Sequence, residues 1–238
     1  MTNSIVTFES VMYAFLGGVL PAILWLLFWL REDAKRPEPK GRIIETFIAG
    51  MLSVLVVLYL QREIFYFSYY GVFPFLVWGT LEELVKLGSA YSTALRSKDD
   101  NEPIDPLIYM ITAALGFVAL ENTLFILNPL INEGLILAEQ SVPIAVNTGA
   151  TRFLGASLLH ILASGAIGVA LSLAFYKSRS KKILYGFIGL LVAMAIHTTF
   201  NAFVYKYFDT HSLVIFGSVW FGVAVLLLIF EKIKSIAP

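Results

Sequence analysis

Long apolar runs separated by short polar linkers divide the chain into seven blocks, at about 8–30, 43–60, 72–95, 105–128, 148–176, 183–205 and 211–231. A helix rising 1.5 Å per residue needs roughly 20 mainly apolar residues to cross a bilayer, and the blocks are close to that length or longer. The pattern predicts an all-α, polytopic transmembrane bundle of about seven helices, forming one membrane domain over 1–238. Pro21 inside the first block predicts a kink there. The fifth block is long enough to require tilt or a deeper start. The first block follows an N-terminus without Lys or Arg and precedes a basic cluster. That order is the reverse of a cleavable signal peptide, so the block reads as a retained helix.

The linkers set an orientation. Arg31, Lys35, Arg36, Lys40 and Arg42 follow the first block, Arg96 and Lys98 the third, Lys177, Arg179, Lys181 and Lys182 the fifth, and Lys232 and Lys234 the seventh. These alternate linkers hold 13 of the 17 basic residues. The other side has only Arg62, Arg152 and Lys206, with Lys86 inside a block. The positive-inside rule then predicts the N-terminus outside and the C-terminus in the cytoplasm. The linker at 129–147 carries Pro129, Glu133, Glu139 and Pro143 around an apolar stretch at 135–138, and is expected to lie along the membrane surface or dip into it. Tyr66, Tyr69, Tyr70, Tyr205 and Tyr207 fall near outer ends, as an interfacial aromatic belt does.

Composition agrees with the pattern. The chain is 58% hydrophobic with a mean hydropathy of +0.78 and only 14% charged residues, against about 45–50% and about 25% in soluble domains. Cysteine is absent, which excludes disulfides, thiolate metal sites and a cysteine nucleophile. The net charge is zero and no dense basic block occurs, so nothing points to nucleic acid; the lipid bilayer is the one partner the composition demands. Nothing in the sequence sets an oligomeric state.

Six ionisable side chains fall at membrane depth: Glu82, Glu83, Lys86, Glu121, His160 and His197. Each charged one costs on the order of 2.5–3.5 kcal/mol at a helix centre. Three carboxylates and one ammonium left unpaired would cost roughly 10 kcal/mol, comparable to the whole stability of a domain at about 5–15 kcal/mol. They must face the bundle interior and meet one another, water or a ligand. Lys86 is four residues from Glu82 and three from Glu83, within reach of either. Adjacent carboxylates diverge by about 100°, so one can pair with Lys86 while the other faces a reaction centre. His197 and Asn201 share a helix face, as do Phe117 and Glu121. Ser157 and Ser164 flank His160 on its own face. With the predicted orientation, Glu121, His160, His197 and Asn201 lie roughly 6–18 Å below the outer surface, and Glu82 and Glu83 about 10–11 residues in. Four helices thus bring polar groups to one layer between the middle and the outer half of the membrane. Plainer readings run alongside: Lys86 as a structural ion-pair partner, and Asn201 and Asn122 as interhelical hydrogen-bond donors.

The pattern Glu82-Glu83-x-x-Lys86, then Phe117-x-x-x-Glu121-Asn122, then His160, then His197-x-x-x-Asn201 resembles the PrsW family of bacterial intramembrane proteases. That family in turn looks like a distant branch of the type II CAAX prenyl proteases and bacterial immunity-protein proteases. The resemblance runs from about residue 70 to 205. The CAAX branch has three residues and Arg after its Glu pair where this chain has two and Lys86, and Phe-x-x-x-His where this chain has Phe117-x-x-x-Glu121. The resemblance implies site-one cleavage of a single-pass membrane protein, such as an anti-sigma factor, on the extracytoplasmic side of the bacterial cytoplasmic membrane. It also implies that Glu82, Glu83, Glu121, His160, His197 and Asn201 form the active site.

Peptide hydrolysis needs an activated water, a stabilised oxyanion and a proton for the leaving amine. A carboxylate stripped of water in a bilayer can act as a base near neutral pH. The favoured assignment takes Glu83 as that base, with Glu82 held by Lys86, His197 and Asn201 polarising the carbonyl, and His160 orienting water or shuttling the proton. It uses no cofactor. With neutral histidines, however, the cluster carries two net negative charges. Either protons offset them, or a zinc ion does, with ligands among Glu83, Glu121, His160 and His197. Two other classes compete: a proton-coupled transporter, which buried Glu, His and Lys also mark although no internal repeat is present, and a non-catalytic scaffold of the same fold.

Overall fold

A computed structural model describes residues 8–33, 36–65, 72–131 and 138–236. Its helices are α1 (Phe8–Glu32), α2 (Lys40–Phe65), α3 (Phe73–Ala90), α4 (Asp105–Ile131), α5 (Ala138–Thr151), α6 (Ser157–Leu173) and α7 (Arg179–Ile233). π-Helical turns extend α3 over Tyr91–Leu95 and join α5 to α6 over Arg152–Ala156. There is no strand among the described residues. Tyr66, Tyr69, Tyr70, Glu133 and most of the apolar stretch at 135–138 lie outside the described residues.

The central element is α4. It is apolar around its whole circumference, and every residue from Leu107 to Ala119 is buried, as expected of a helix enclosed on all sides. On one side α2 crosses it at backbone contact. A Cβ on Gly50 would stand 2.1 Å from the Ala113 carbonyl oxygen, and one on Gly116 would stand 2.0 Å from that of Phe47. Small residues permit such an approach in membrane bundles. The outer helices expose large apolar side chains instead, among them Leu24, Leu55, Leu184, Leu213 and Leu228. That surface is stable only against lipid, so the chain is an integral membrane protein.

Five helices are long and apolar enough to cross a membrane among the described residues, fewer than the seven blocks of the sequence pattern. Two physical features account for the difference. The three charged residues of α3 lower its apolarity, and the last two blocks are a single helical run, α7, interrupted at His211 (φ −135°, ψ 23°). The chain reverses there. Gly189 packs on Ala170, whereas Leu226 packs on Gly165; 37 residues along a straight helix would separate them by roughly 55 Å. The first arm descends α6 (Gly186 on Leu171, Gly189 on Ile167) and the second ascends it (Phe216 on Gly155, Gly222 beside Leu162). The first helix runs on through Pro21, and the long fifth block is the continuous run from α5 through the π turn to α6.

The basic linkers do share one end of the bundle. Arg36 pairs with Glu102 at 2.7 Å, Arg42 with Asp99 at 2.8 Å, and Lys234 Nζ donates to the Glu32 carbonyl at 2.5 Å.

Candidate active site

Within the bundle α3, α4, α6 and the first arm of α7 bring the predicted polar residues together. Glu82, Glu83, Lys86, His160 and His197 are all buried. Lys86 Nζ lies 2.5 Å from Glu83 Oε1 and stands over the Phe117 ring at 4.8 Å. Glu83 Oε1 also meets His197 Nδ1 at 2.9 Å, while its Oε2 accepts from Ser164 Oγ at 2.7 Å. Both oxygens of Glu83 are therefore engaged. This differs from the sequence expectation, in which Lys86 held Glu82 and left Glu83 free. A spacing of three or four residues allows either pairing; the helices packed against α3 select Glu83, because Ser164 and His197 both approach it.

Glu82 faces the other way. Its Oε1 accepts from Gln61 at 3.4 Å. Its Oε2 is buried without a hydrogen-bond partner, although His197 Nε2 stands 3.4 Å away and His160 Nδ1 4.0 Å away. The tautomers explain why. Glu83 is an acceptor, so His197 Nδ1 carries the proton and Nε2 presents a lone pair. Lys86 Nζ, which can only donate, is 2.8 Å from His160 Nδ1, so that nitrogen also presents a lone pair. His160 Nε2 then carries its proton, 3.2 Å from Glu121 Oε2. Glu82 Oε2 and His197 Nε2 therefore face each other with free lone pairs, and His160 Nδ1 adjoins them while accepting from Lys86. Glu82, His160 and His197 offer ligand atoms that all lie within 4.8 Å of one another, and this is the set of the described residues that suits a metal ion. The carboxylate in that set is Glu82, whereas the sequence reading drew its zinc alternatives from Glu83 and Glu121.

On the far side, Arg152 Nη2 donates to Glu121 Oε2, its Nε donates to Asn122 Oδ1 at 2.5 Å, and its guanidinium stacks on Phe125 at 3.9 Å. Asn122 also donates to Ser157 Oγ at 3.2 Å, the interhelical role expected of it. A cavity of about 440 Å³ opens over this surface, lined by Glu82, Glu121, Arg152, His160, His197 and Asn201. It extends to Gln61, Phe75 and Tyr205, toward the helix ends opposite the basic linkers. Glu83 does not line it.

Residues 38–230 match the model of the PrsW family of intramembrane metalloproteases. The chain belongs to the PrsW family. It is 24% identical over 195 residues to a protease PrsW of Clostridioides difficile, covering 79% of this chain and 77% of that one. It is also 25% identical over 226 residues to that of Shouchella clausii (92% and 95%), and 26% identical over 202 residues to that of Oceanobacillus iheyensis (84% and 86%). No solved structure matches. PrsW membership makes the chain an intramembrane protease by family, in place of the transporter reading.

Sequence reasoning overlooked one cavity residue of this PrsW site, Arg152, by counting it among the outer basic residues. Its signal was a lone guanidinium within an apolar block, eight residues before His160. A regular α-helix sets residues eight apart about 80° out of line, which hid the relation.

Proposed function

We propose that the chain is a zinc-dependent intramembrane endopeptidase, held at its metal by Glu82, His160 and His197, that cuts a single-pass regulatory protein such as an anti-sigma factor. The observation that carries the metal is the buried, unpartnered Glu82 Oε2 facing the free lone pair of His197 Nε2, with His160 Nδ1 beside them; His160 would join the set by giving up its contact with Lys86. One carboxylate and two imidazoles are a ligand set used by catalytic zinc, with a position left for water. When bound, zinc supplies Lewis-acid activation of water and polarisation of the scissile carbonyl.

The chain's own residues do the rest. Glu121 lines the cavity with one oxygen anchored by Arg152, and its carboxylate takes the proton of the attacking water and returns it to the leaving amine. Asn201, one turn beyond His197, offers an amide donor to the developing oxyanion. Glu83 accepts a hydrogen bond from the Nδ1–H of His197 and fixes that ring, as carboxylates behind metal-binding histidines do, while Lys86 keeps Glu83 charged. The polar cavity reaches the end of the bundle opposite the basic linkers, which supports cleavage near the extracytoplasmic face.

A metal-free reading rests on the same atoms. A proton shared between Glu82 Oε2 and His197 Nε2 also satisfies both lone pairs, and Glu82 is then the base. Metal analysis separates the two. Protein purified without chelator is expected to carry about one zinc per chain, to lose cleavage of a tagged single-pass substrate on chelation, and to regain it with added zinc. Glu82→Gln and His197→Ala are expected to lose the metal. Full cleavage by metal-free protein would overturn zinc dependence and leave Glu82 as base.

A further inference from the structure

The two imidazoles are held by matching arrangements. His197 meets Glu83, and Glu83 meets Lys86. His160 meets Glu121, and Glu121 meets Arg152. In each case one ring nitrogen faces Glu82, the other faces a carboxylate, and a cation holds that carboxylate; they differ in that His160 Nδ1 also accepts from Lys86. The first arrangement lies within a pattern the sequence displays, whereas the second depends on a residue outside it. We infer that Arg152 is a positioning residue of the site: it fixes the Glu121 carboxylate and, through it, the direction of the His160 ring, whose Nε2–H that carboxylate receives.

Three features support this beyond a generic ion pair. The first is the π turn at Arg152–Ala156. Two α-helical turns take about 7.2 residues, so the residue that a π turn inserts brings positions 152 and 160 almost onto one face. Such insertions recur at functional sites. The second is the grip. Arg152 binds two consecutive residues of α4 through two nitrogens and stacks on a third at Phe125, which sets the guanidinium plane as well as its charge. The third is location. The side chains of Arg152 and Glu121 keep 15% and 16% exposure to the cavity that His160 lines, so the pair borders the reaction space. Without Arg152, Glu121 is free to turn away, and His160 Nε2–H loses the acceptor that holds the ring in place, leaving Lys86 at Nδ1 as its one remaining hydrogen-bond anchor among the described residues.

The kinetic and metal consequences rest on the zinc reading above, but the ring geometry does not. The full chain, labelled with ¹⁵N-histidine in lipid nanodiscs and stripped of metal, contains three histidines, and His211 is assigned by substitution. Long-range ¹H–¹⁵N spectra are expected to show His160 as the Nε2–H tautomer in the wild type. Arg152→Ala is expected to shift the His160 Nε2–H signal and speed its exchange with solvent, because its Glu121 acceptor is lost, and Arg152→Lys, which keeps the charge but not the fork, to give a partial return. Zinc affinity measured against a competing chelator is expected to fall about 10–100-fold in Arg152→Ala and less in Arg152→Lys. If Arg152→Ala does not fold, Arg152→Lys and Asn122→Ala carry the same comparison. An unchanged His160 Nε2–H signal and exchange rate in folded variants overturns the inference. Should the wild type take up no zinc, the metal reading fails while the spectra still decide the role of Arg152.

Discussion

Lys86 Nζ lies 2.5 Å from Glu83 Oε1, and both side chains are fully buried. The pair removes two charges from the bilayer interior and frees Glu82 to face the cavity. Removing one partner of a buried pair costs about 3–5 kcal/mol, because the other charge stays behind. Lys86→Ala is thus expected to lose that much stability in detergent denaturation, whereas Lys86→Met combined with Glu83→Gln should recover much of it. Equal stability of Lys86→Ala and wild type would refute the pairing as a structural element.

Glu121 offers the chemical prediction. Glu121→Gln keeps the shape and leaves an oxygen to meet Arg152 and His160, but it cannot take a proton from water. Cleavage of a membrane substrate should fall on the order of 10²–10⁴-fold, while zinc still binds at saturating metal. Full activity in this variant would remove Glu121 from the reaction and return the base to Glu82.

Acid–base behaviour at the basic end has a definite sign. Burial pushes Glu38 up to about 8, helped by neighbouring Asp105. Burial with Asp105 raises Asp100 to about 7 and, with Asp105 and Glu102, Asp33 to about 6. Folded values above unfolded ones mean that the contribution to stability is whole below the ordinary carboxylate range and is lost as pH rises through these values. Thermal stability of the solubilised protein should therefore decline between about pH 5 and 8.5, and Glu38→Gln should flatten the upper part. A rise in melting temperature over that interval would contradict the burial of these groups.

The crossing of α2 and α4 gives a packing prediction. A methyl on Gly116 or Gly50 would meet backbone oxygen at about 2 Å, a contact that no side-chain rotation relieves. Gly116→Ala and Gly50→Ala should each lower stability by about 1–3 kcal/mol or more through overpacking. Gly41→Ala and Gly88→Ala, with nothing within 4 Å, should be tolerated. Melting curves of the four variants in one detergent make the comparison; similar losses at all four would sink it.

Orientation is tested by fusion. The basic linkers meet at one end of the bundle, and the positive-inside rule places that end in the cytoplasm. Reporters after Lys98 and Arg179 should both be read as cytoplasmic. A periplasmic signal at either would place the cavity mouth on the opposite side of the membrane.

The sequence by itself determined the membrane class, the helical blocks, the shared end of the basic linkers and the polar residues that the bilayer forces inward. These follow from local quantities: apolar run length, the cost of charge in hydrocarbon, and the distribution of Lys and Arg. Tertiary structure alone decided which carboxylate each cation takes. Glu82 and Glu83 are equivalent by spacing to Lys86, and only Ser164 and His197, 81 and 114 residues away along the chain, turn Glu83 inward and leave Glu82 to the cavity. The fold also decided that Arg152 belongs to the site, since its alignment with His160 requires the π turn at Arg152–Ala156, and the side chains it grips, Glu121 and Asn122, come from α4, some 30 residues away along the chain.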